Sequence, residues 1–299
     1  MPMQMPIHAR LHLPHPALGA CIYLGVERDT RGLQFTDAQR FNYYPASPLP
    51  MISWTFQGDL HMVQQPTSAS SAPSLASALP RVVLAGPHRK PSASWSPGAV
   101  HALSVSFYPE ALSALLGINV EELVDKIVPL DALASGPLLA RLLDVGMRDS
   151  DEPFSQIEAM LQPLWRNLHD ARALPNLHGW VQSLAVRAAF SKSGAGIRRA
   201  QRRFRDWTGQ SYRDLQLFVR TERAMAHASE QPPDAALDLA ALAAQAGFAD
   251  QSHMGREVRR VTGIPPGRLG ELMRSDEAFW FYRLMMEHFR EPVDYGSGQ

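Results

Sequence analysis

Residues 246–266 read AGFADQSHMGREVRRVTGIPP. Within this stretch Met254, Val258 and Val261 recur at helical spacing and form one apolar face. Asp250 precedes them as a capping carboxylate, and Gly247 suits a corner where the backbone needs a positive φ. The stretch therefore predicts a glycine turn followed by a helix that presents one apolar and one polar face.

The same pattern occurs a second time, 54 residues earlier in the chain. Residues 204–209 read FRDWTG where residues 258–263 read VRRVTG, and a leucine stands six residues after each glycine. Gly194 precedes the first copy much as Gly247 precedes the second. Each copy thus predicts a helix, a glycine turn and a second helix, and residues 212–228 predict an amphipathic helix between the copies.

The outward faces of the two predicted second helices carry polar side chains. Ala200, Phe204 and Trp207 form the inward face of the first helix, as Met254 and Val258 do in the second. The outward residues are Arg198, Gln201, Arg202 and Arg205 in the first helix and Gln251, Ser252, His253 and Arg256 in the second. Arg and Gln make bidentate contacts with base edges and also bind phosphates. A rigid spacer would hold the two helices about 34 Å apart, in successive major-groove segments of DNA.

Residues 180–273 resemble the double helix-turn-helix domain of AraC/XylS-type bacterial transcription regulators, and the opening stretch resembles that family's C-terminal signature along its whole length. The resemblance implies sequence-specific binding to double-stranded DNA. It implies base contacts from Arg198, Gln201, Arg202, Gln251, Ser252 and Arg256, and phosphate contacts from Arg199 and His253, with Arg205 on the same surface. It also implies a cytoplasmic activator or repressor, whose further partners are a second copy of the chain and, for an activator, RNA polymerase.

The sequence departs from that family at several positions. Ala195 and Gly196 stand where an apolar residue and a capping serine are usual, and Phe190 stands where a small residue is usual. In the second unit Met254 replaces a usual phenylalanine, and Gly255 costs about 1 kcal/mol of helix stability relative to alanine. These departures leave open a protein-interaction module that has lost its affinity for DNA.

The amino-terminal part of the chain has a different pattern. Short apolar or alternating runs broken by Gly and Pro predict strands at residues 21–26, 41–44, 51–56, 60–63, 81–85 and 102–107. The Ser, Ala and Pro-rich residues 64–80 predict a loop. From Pro109 onward only helices are predicted, at residues 110–116, 120–125, 133–145 and 154–169.

The predicted fold class is α+β, with three parts. Residues 1–170 form a β-rich, cupin-like barrel with trailing helices, residues 171–274 form the all-α double helix-turn-helix domain, and residues 275–299 form a helical extension. Residues 84–88, 107–109 and 114–130 resemble a sensor domain that precedes this DNA-binding module in some regulators. That resemblance implies a small-molecule effector that alters DNA binding. The candidate pocket residues are Tyr43, Tyr44, Trp54, Phe56, His88 and Trp95, each of which is alternatively a core or surface side chain of the barrel.

Composition and charge agree with this interpretation. Among 299 residues 45% are hydrophobic and 19% charged, which is typical of a globular protein, and no apolar run is long enough to span a bilayer. We therefore expect no membrane partner. The single cysteine, Cys21, excludes an intrachain disulfide. The charges of the 29 basic and 29 acidic residues cancel over the whole chain. Residues 1–170 carry 11 basic and 15 acidic residues, whereas residues 171–299 carry 18 basic and 14 acidic residues. The basic surplus coincides with the predicted DNA-binding part.

Enzymatic motifs are missing from the sequence. It contains no Gly-x-Ser-x-Gly elbow, no phosphate-binding Gly-x-x-x-x-Gly-Lys loop and no His-Glu-x-x-His helix. His8, His12 and His15 lie close together, but Pro14 prevents one continuous helix from presenting all three to a metal. We therefore predict no catalytic activity, no cofactor and no metal. A cupin-like metal-dependent enzyme is the alternative from another class.

Overall fold

The computed structural model describes residues 8–64, 74–133, 136–146, 152–168, 176–190, 197–230 and 238–290. The amino-terminal part consists of two antiparallel sheets that face each other. The strands are β1 (Ala9–His12), β2 (Ile22–Asp29), β3 (Phe41–Tyr44), β4 (Met51–Gln57), β5 (His61–Val63), β6 (Leu75–Ala78), β7 (Val82–Ala85), β8 (Ser92–Trp95), β9 (His101–Phe107) and β10 (Ile127–Pro129). The first sheet has the order β1-β2-β9-β4-β7-β10 and the second the order β3-β8-β5-β6.

The rest of the described chain is mainly helical. The helices are α1 (Pro109–Leu116), α2 (Pro137–Leu143), α3 (Pro153–Leu168), α4 (Leu177–Phe190), α5 (Ile197–Thr208), α6 (Tyr212–Glu230), α7 (Leu239–Gln245), α8 (Gln251–Thr262), α9 (Pro266–Ser275) and α10 (Trp280–Arg290). A β-rich part followed by a helical part is the predicted fold class, which is confirmed.

Each of the six predicted strands is present, but the prediction that no strand follows Phe107 was wrong. β10 has three residues, too few to show an alternating pattern, and it forms by pairing with the distant β7. β6 lies inside the segment predicted as a loop and pairs with β5, while residues 65–73 of that segment lie outside the described residues. Such pairings depend on partner strands and are invisible in local sequence.

The larger sheet has two chemically different faces because side chains alternate along its strands. On β4, β7 and β9 one face carries large apolar residues that belong to the main core, namely Ile52, Trp54, Val82, Leu84, Leu103, Val105 and Phe107. The other face carries mostly small or polar residues, including Ser53, Thr55, Ala85, Ala102, Ser104 and Ser106. The first face packs against helices: the Trp54 indole is fully buried and its Nε1 donates to the carbonyl oxygen of Leu142 at 2.7 Å. The second face lines a cavity.

The main core runs without interruption from the sheet into the helical part. The same cluster of buried residues contains Leu103 of β9, Phe204 of α5, Leu215 of α6 and Val261 of α8. The backbone N–H of Ala46 also donates to the carbonyl oxygen of Val261 at 2.8 Å. The predicted division at residue 170 stays a prediction, since residues 169–175 lie outside the described part and apolar packing crosses from one side to the other.

The two sequence repeats form the same local structure. In the first, the Thr208 hydroxyl donates to the Phe204 carbonyl oxygen (2.6 Å) and accepts from the backbone N–H of Gln210 (3.2 Å). In the second, the Thr262 hydroxyl donates to the carbonyl oxygen four residues before it (2.9 Å) and accepts from the N–H two residues after it (3.2 Å). Gly209 and Gly263 follow with φ of +70° and +78°, which an L side chain rarely adopts. The repeated Thr-Gly pair is therefore a helix C-terminal cap.

The Thr262 cap gives a test of this assignment. We expect Thr262→Val to lower the free energy of unfolding by about 1–2 kcal/mol, because a partly buried backbone N–H loses its acceptor. Thr221→Val is the matched control: its hydroxyl is buried and has no hydrogen-bond partner among the described residues, so its removal should be neutral or stabilising. Guanidinium unfolding of both variants measures the difference. An equal loss of unfolding free energy in the two variants would contradict the capping role of Thr262.

Candidate nucleic-acid interface and interdomain cavity

The first candidate DNA-binding surface is the outer face of α5. Phe204 is buried and Trp207 is half-buried, whereas Arg198, Arg199, Gln201, Arg202 and Arg205 are exposed. Arg203 does not join that face: its Nη1 donates to the carbonyl oxygen of Ala188 at 3.1 Å and fixes α5 to α4. The arginine run of the sequence therefore divides into an outward cationic surface and one structural contact.

The second candidate surface is the outer face of α8. Met254, Val258 and Val261 are buried, as their spacing predicted. Asp250 caps the helix by accepting the backbone N–H of His253 at 2.7 Å, and Gly247 has a φ of +78°. Gln251, Ser252 and Arg256 are exposed, and His253 is half-buried with its ring edge-on to Phe248 at 5.6 Å. The structure thus presents the three predicted base-contacting residues of this helix to solvent.

Three residues of the predicted first turn lie outside the described part of the chain. They are Gly194, Ala195 and Gly196. In the second unit, a Cβ built on Gly255 would meet nothing within 4 Å, so the departure from the family at this position leaves open space beside the helix. An ion pair between Arg260 Nη2 and Asp214 Oδ1 (3.0 Å) joins α8 to α6, which connects the two units.

A cavity of about 270 Å³ lies between the two sheets. Its walls are the small-residue face of the larger sheet and residues of β3, β5 and β8, including Asn42, Tyr44, Met62 and Ser94. Helices of the carboxyl-terminal part complete it, with Thr221, Glu222 and Met225 from α6 and Trp280, Phe281 and Met285 from α10. Ligand cavities are usually apolar with a few polar groups, and this cavity has that character. It is bounded by both parts of the chain.

The aromatic pocket candidates have different positions. Tyr44 and His88 line the cavity. Trp54 and Phe56 lie on the opposite side of the larger sheet, where Trp54 bonds to α2 and the Phe56 ring lies 5.0 Å from that of His101. Tyr43 stacks on Phe279 at 4.8 Å, and Trp95 donates to the carbonyl oxygen of Asp37 at 3.2 Å. The structure brings two of the six together at the cavity, and a ligand contact by any of them stays a prediction.

The cavity wall contains charged residues that were not among the predicted site residues, and Arg28 and Glu222 are two of them. Arg28 follows Leu24 and Val26 on one face of β2, and it is 6% exposed. Glu222 follows Leu215 and Phe218 on the apolar face of α6. In both cases the signal is a charge at a position where the periodicity requires an apolar residue. The predicted strand ends at residue 26, two residues before Arg28, and the helix that carries Glu222 is predicted only as a connection between the two copies.

Glu222 links the helical part to the sheet. The Tyr23 hydroxyl of β2 donates to Glu222 Oε1 at 3.1 Å. Burial raises the pKa of Glu222 to about 7, and the hydrogen bond from Tyr23 opposes that rise only in part. The carboxyl group is therefore largely neutral below pH 7, and its ionisation would place a charge in the wall between the two parts of the chain.

The carboxyl-terminal extension lies against the sheet. Within it, Glu277–Phe279 form a short 3₁₀ turn that leads into α10. Trp280 and Leu284 pack on Leu24 and Val26 of β2, and Trp280 Nε1 donates to Asn42 Oδ1 at 2.8 Å. The predicted extension thus covers the cavity, while residues 291–299 lie outside the described part.

The described residues contain no group of three or more His, Cys, Asp or Glu side chains placed to hold a metal ion. Of the three clustered histidines, His12 bonds to Glu27 Oε2 at 3.0 Å, and His15 Nδ1 accepts the backbone N–H of Ala17 at 3.1 Å. Among the helices described here, none is both long and apolar enough to cross a membrane.

Comparisons with known families match both parts of the chain. Residues 190–271 match a family model described as a helix-turn-helix domain, and residues 11–129 match one described as a domain of unknown function, DUF6597. No curated protein matches the sequence significantly.

Solved structures of ToxT from Vibrio cholerae are similar to this chain at low identity. An apo ToxT variant from strain SCE256 is 13% identical, with 84% of this chain and 97% of that chain covered and a TM-score of 0.38. ToxT in a P21 crystal form is 10% identical, with 79% and 96% covered and a TM-score of 0.37. Wild-type ToxT bound to an unsaturated fatty acid is 11% identical, with 79% and 95% covered and a TM-score of 0.34. These superpositions are loose.

The family match covers both repeats, including the two exposed helix faces described above. The carboxyl-terminal part is therefore a helix-turn-helix domain, which defines the chain as a DNA-binding transcription regulator. Its two units make it a domain of the AraC/XylS type, and the predicted family is confirmed.

The open space at Gly255 predicts a stabilising substitution. Gly255→Ala should raise the free energy of unfolding by about 1 kcal/mol, because alanine loses less backbone entropy in a helix and its Cβ meets no neighbour. Gly263→Ala is the contrasting control, since Gly263 has a φ of +78° and its Cβ would lie 3.2 Å from Pro91. Denaturant unfolding should separate the two variants. A loss of stability in Gly255→Ala would show that this face of α8 is not free.

The raised pKa of Glu222 predicts a pH dependence of stability. An unfolded glutamate ionises near 4.5, so the neutral folded form loses stability as pH rises from 4.5 through 7. A shift of this size corresponds to about 3 kcal/mol. Glu222→Gln should match the wild type at pH 5 and exceed its unfolding free energy by up to that amount at pH 8. Gln216→Ala, on the same helix, is the control: it removes no titratable group and should leave the pH profile unchanged. A higher free energy of unfolding for the wild type than for Glu222→Gln at pH 8 would contradict this account.

Proposed function

We propose that this regulator binds its operator through the outer faces of α5 and α8, and that an effector in the interdomain cavity changes this binding. One observation carries the effector part of the proposal. α6 connects the two helix-turn-helix units and also contributes Thr221, Glu222 and Met225 to the wall of the cavity. A molecule between the sheets therefore contacts the element that holds the two DNA-binding units in their relative positions.

In this proposal the DNA contacts divide by chemistry. Arg198, Gln201, Arg202, Gln251, Ser252 and Arg256 contact base edges, while Arg199, Arg205 and His253 contact the phosphate backbone. Their exposure on α5 and α8 supports contact with DNA, except at His253, which is half-buried. Phosphate contacts supply affinity that falls with salt, and base contacts supply the choice of sequence.

The effector acts through a difference in affinity between two conformations. A ligand changes DNA binding only if it contacts the cavity differently in the DNA-bound and free arrangements of the two units. The wall offers such contacts, because β2 and α6 meet there through the Tyr23–Glu222 hydrogen bond. A second copy of the chain and, for activation, RNA polymerase complete the proposed set of partners.

The base-reading assignment is tested with Arg256. Arg256→Ala should cost about 1–3 kcal/mol on operator DNA and relax the preference at one base position. Arg199→Ala should instead weaken binding to operator and random DNA alike and reduce the salt slope. Fluorescence anisotropy over a salt series, with operators selected from a random duplex pool, measures both. Arg31→Ala, in an exposed ion pair of the amino-terminal part, is the control and should bind like the wild type. Equal losses of Arg256→Ala on operator and random DNA would remove Arg256 from the base-reading set.

The effector site is tested by filling the cavity. Ala102 lies in the cavity wall and is 8% exposed, so Ala102→Leu should occupy part of the space without removing a polar contact. Compounds that raise the melting temperature of the wild type are first found by thermal shift and then added to the anisotropy assay. Ala102→Leu should keep DNA binding and lose the response to these compounds, whereas Ala78→Leu, at an exposed position of β6, should keep both. An unchanged response in Ala102→Leu would place the effector elsewhere.

A further inference from the structure

Glu222 is the one acidic side chain among the described residues that line the cavity. It lies near the middle of α6, with Phe218 four residues before it and Met225 three residues after it, so the three share one face of the helix. Both of these neighbours also line the cavity. The carboxyl group therefore stands on an apolar wall.

The carboxyl group of Glu222 has an unused oxygen atom. Oε1 accepts the hydroxyl of Tyr23 at 3.1 Å, whereas Oε2 has neither a hydrogen-bond partner nor an ion pair within the described part of the chain. Glu222 is a half-buried residue of the cavity wall, and Oε2 is not among the polar atoms that are closed off from solvent. A ligand atom in the cavity can therefore reach it.

The fold does not need the charge of Glu222. A glutamine would accept the same hydrogen bond from Tyr23, whereas a buried carboxylate without a cationic partner is costly. Burial raises the pKa of Glu222 to about 7, against the smaller opposing effects of the Tyr23 hydrogen bond and of Arg223, whose side chain is exposed. A cation in the cavity would supply the missing partner.

The basic side chains of the described wall are either engaged elsewhere or distant from this carboxyl group. Arg28 lies five residues beyond Tyr23 on β2, about 16 Å along the strand, and it is already paired with a carboxylate of the extension. Arg40 Nη1 donates to the carbonyl oxygen of Pro97 at 2.7 Å. His88 follows β7, which lies three strands from β2 and so about 14 Å across the sheet. The free oxygen of Glu222 thus has no cation of the wall beside it.

We propose that the cavity takes a small amphipathic amine, with its ammonium group on Glu222 Oε2 and its apolar body between the two sheets. The proposal rests on the effector site proposed above and names the chemical class of its ligand. An ammonium group brings both a donor for the free oxygen and the charge that balances an ionised carboxylate. Phe218 and Phe281 line the same cavity, and aromatic rings attract cations. The volume of about 270 Å³ limits the ligand to a small molecule.

The ligand class is tested by direct binding to the full-length protein without DNA. Isothermal titration at pH 6 compares 2-naphthylmethylamine with 2-naphthylmethanol, and octylamine with octanol, so that each pair differs only in its charged group. We expect the amine of at least one pair to bind at least ten times more tightly than its alcohol. Alcohols that bind as well as the amines, or no amine binding at millimolar concentration, would overturn the proposal.

Amine binding should also release a proton. At pH 6 the carboxyl group of Glu222 is largely neutral because burial raises its pKa to about 7, and it has to ionise to pair with an ammonium group. Titration in two buffers with different heats of ionisation should show the release of nearly one proton at pH 6 and of almost none at pH 8. Amine binding without proton release at pH 6 would overturn the proposal.

Variants locate the contact. Glu222→Gln should weaken amine binding at least tenfold, leave the affinity of the alcohol nearly unchanged and abolish the proton release. It keeps an acceptor for Tyr23 and is expected to be at least as stable as the wild type, so it should fold. Glu271→Gln, which removes an exposed carboxyl group from α9, is the matched control and should change neither affinity. Undiminished amine binding by Glu222→Gln would overturn the proposal.

The outcome is separable from that of the proposed function. Loss of operator binding would contradict the DNA-binding proposal and leave the titration result valid, since no DNA is present in it. A neutral compound that occupies the cavity and changes DNA binding, while amines do not bind, would support the effector site and overturn the ligand class.

Discussion

The alternation of side chains along β4, β7 and β9 is the constraint on which the rest of the structure depends. Large residues such as Leu103 and Val105 on one face need a partner, and the helices after β9 supply it. Small residues such as Ala102 and Ser104 on the other face cannot fill the space between the sheets. One period-two pattern therefore produces both the core that binds the helices and the cavity.

That cavity connects the two parts of the chain because helices of the carboxyl-terminal part close it. α6 and α10 bring Glu222 and Trp280 to its wall, where they bond to Tyr23 and Asn42. Changes in the cavity therefore act on the helix that joins the two DNA-binding units. The buried cluster of Arg28, Glu277 and Arg283 adds a charged contact between β2 and the extension, and removal of its one carboxylate would leave two buried cations unpaired.

The helix-turn-helix units show which structural features can be predicted from local sequence. The spacing of Met254, Val258 and Val261 predicted the buried face of α8, and the repeated sequence predicted two units of helix, turn and helix. These features depend on contacts within a few residues, which local sequence records. For the same reason the strands with clear alternation were predicted, whereas β1, β6, β8 and β10 were not, because such short strands form only when partner strands pair with them.

The sequence by itself determined the class of protein, the order of β-rich and helical parts, and the polar faces of α5 and α8. The tertiary structure alone decided which residues meet in the cavity. Arg28 and Glu277 are 249 positions apart in the chain, and Tyr23 and Glu222 are 199 apart. No local pattern specifies such pairs, since they form only when α6 and the carboxyl-terminal extension pack against the sheet. A charge at an apolar position of a strand or helix is a local signal for such residues, but it does not specify their partners.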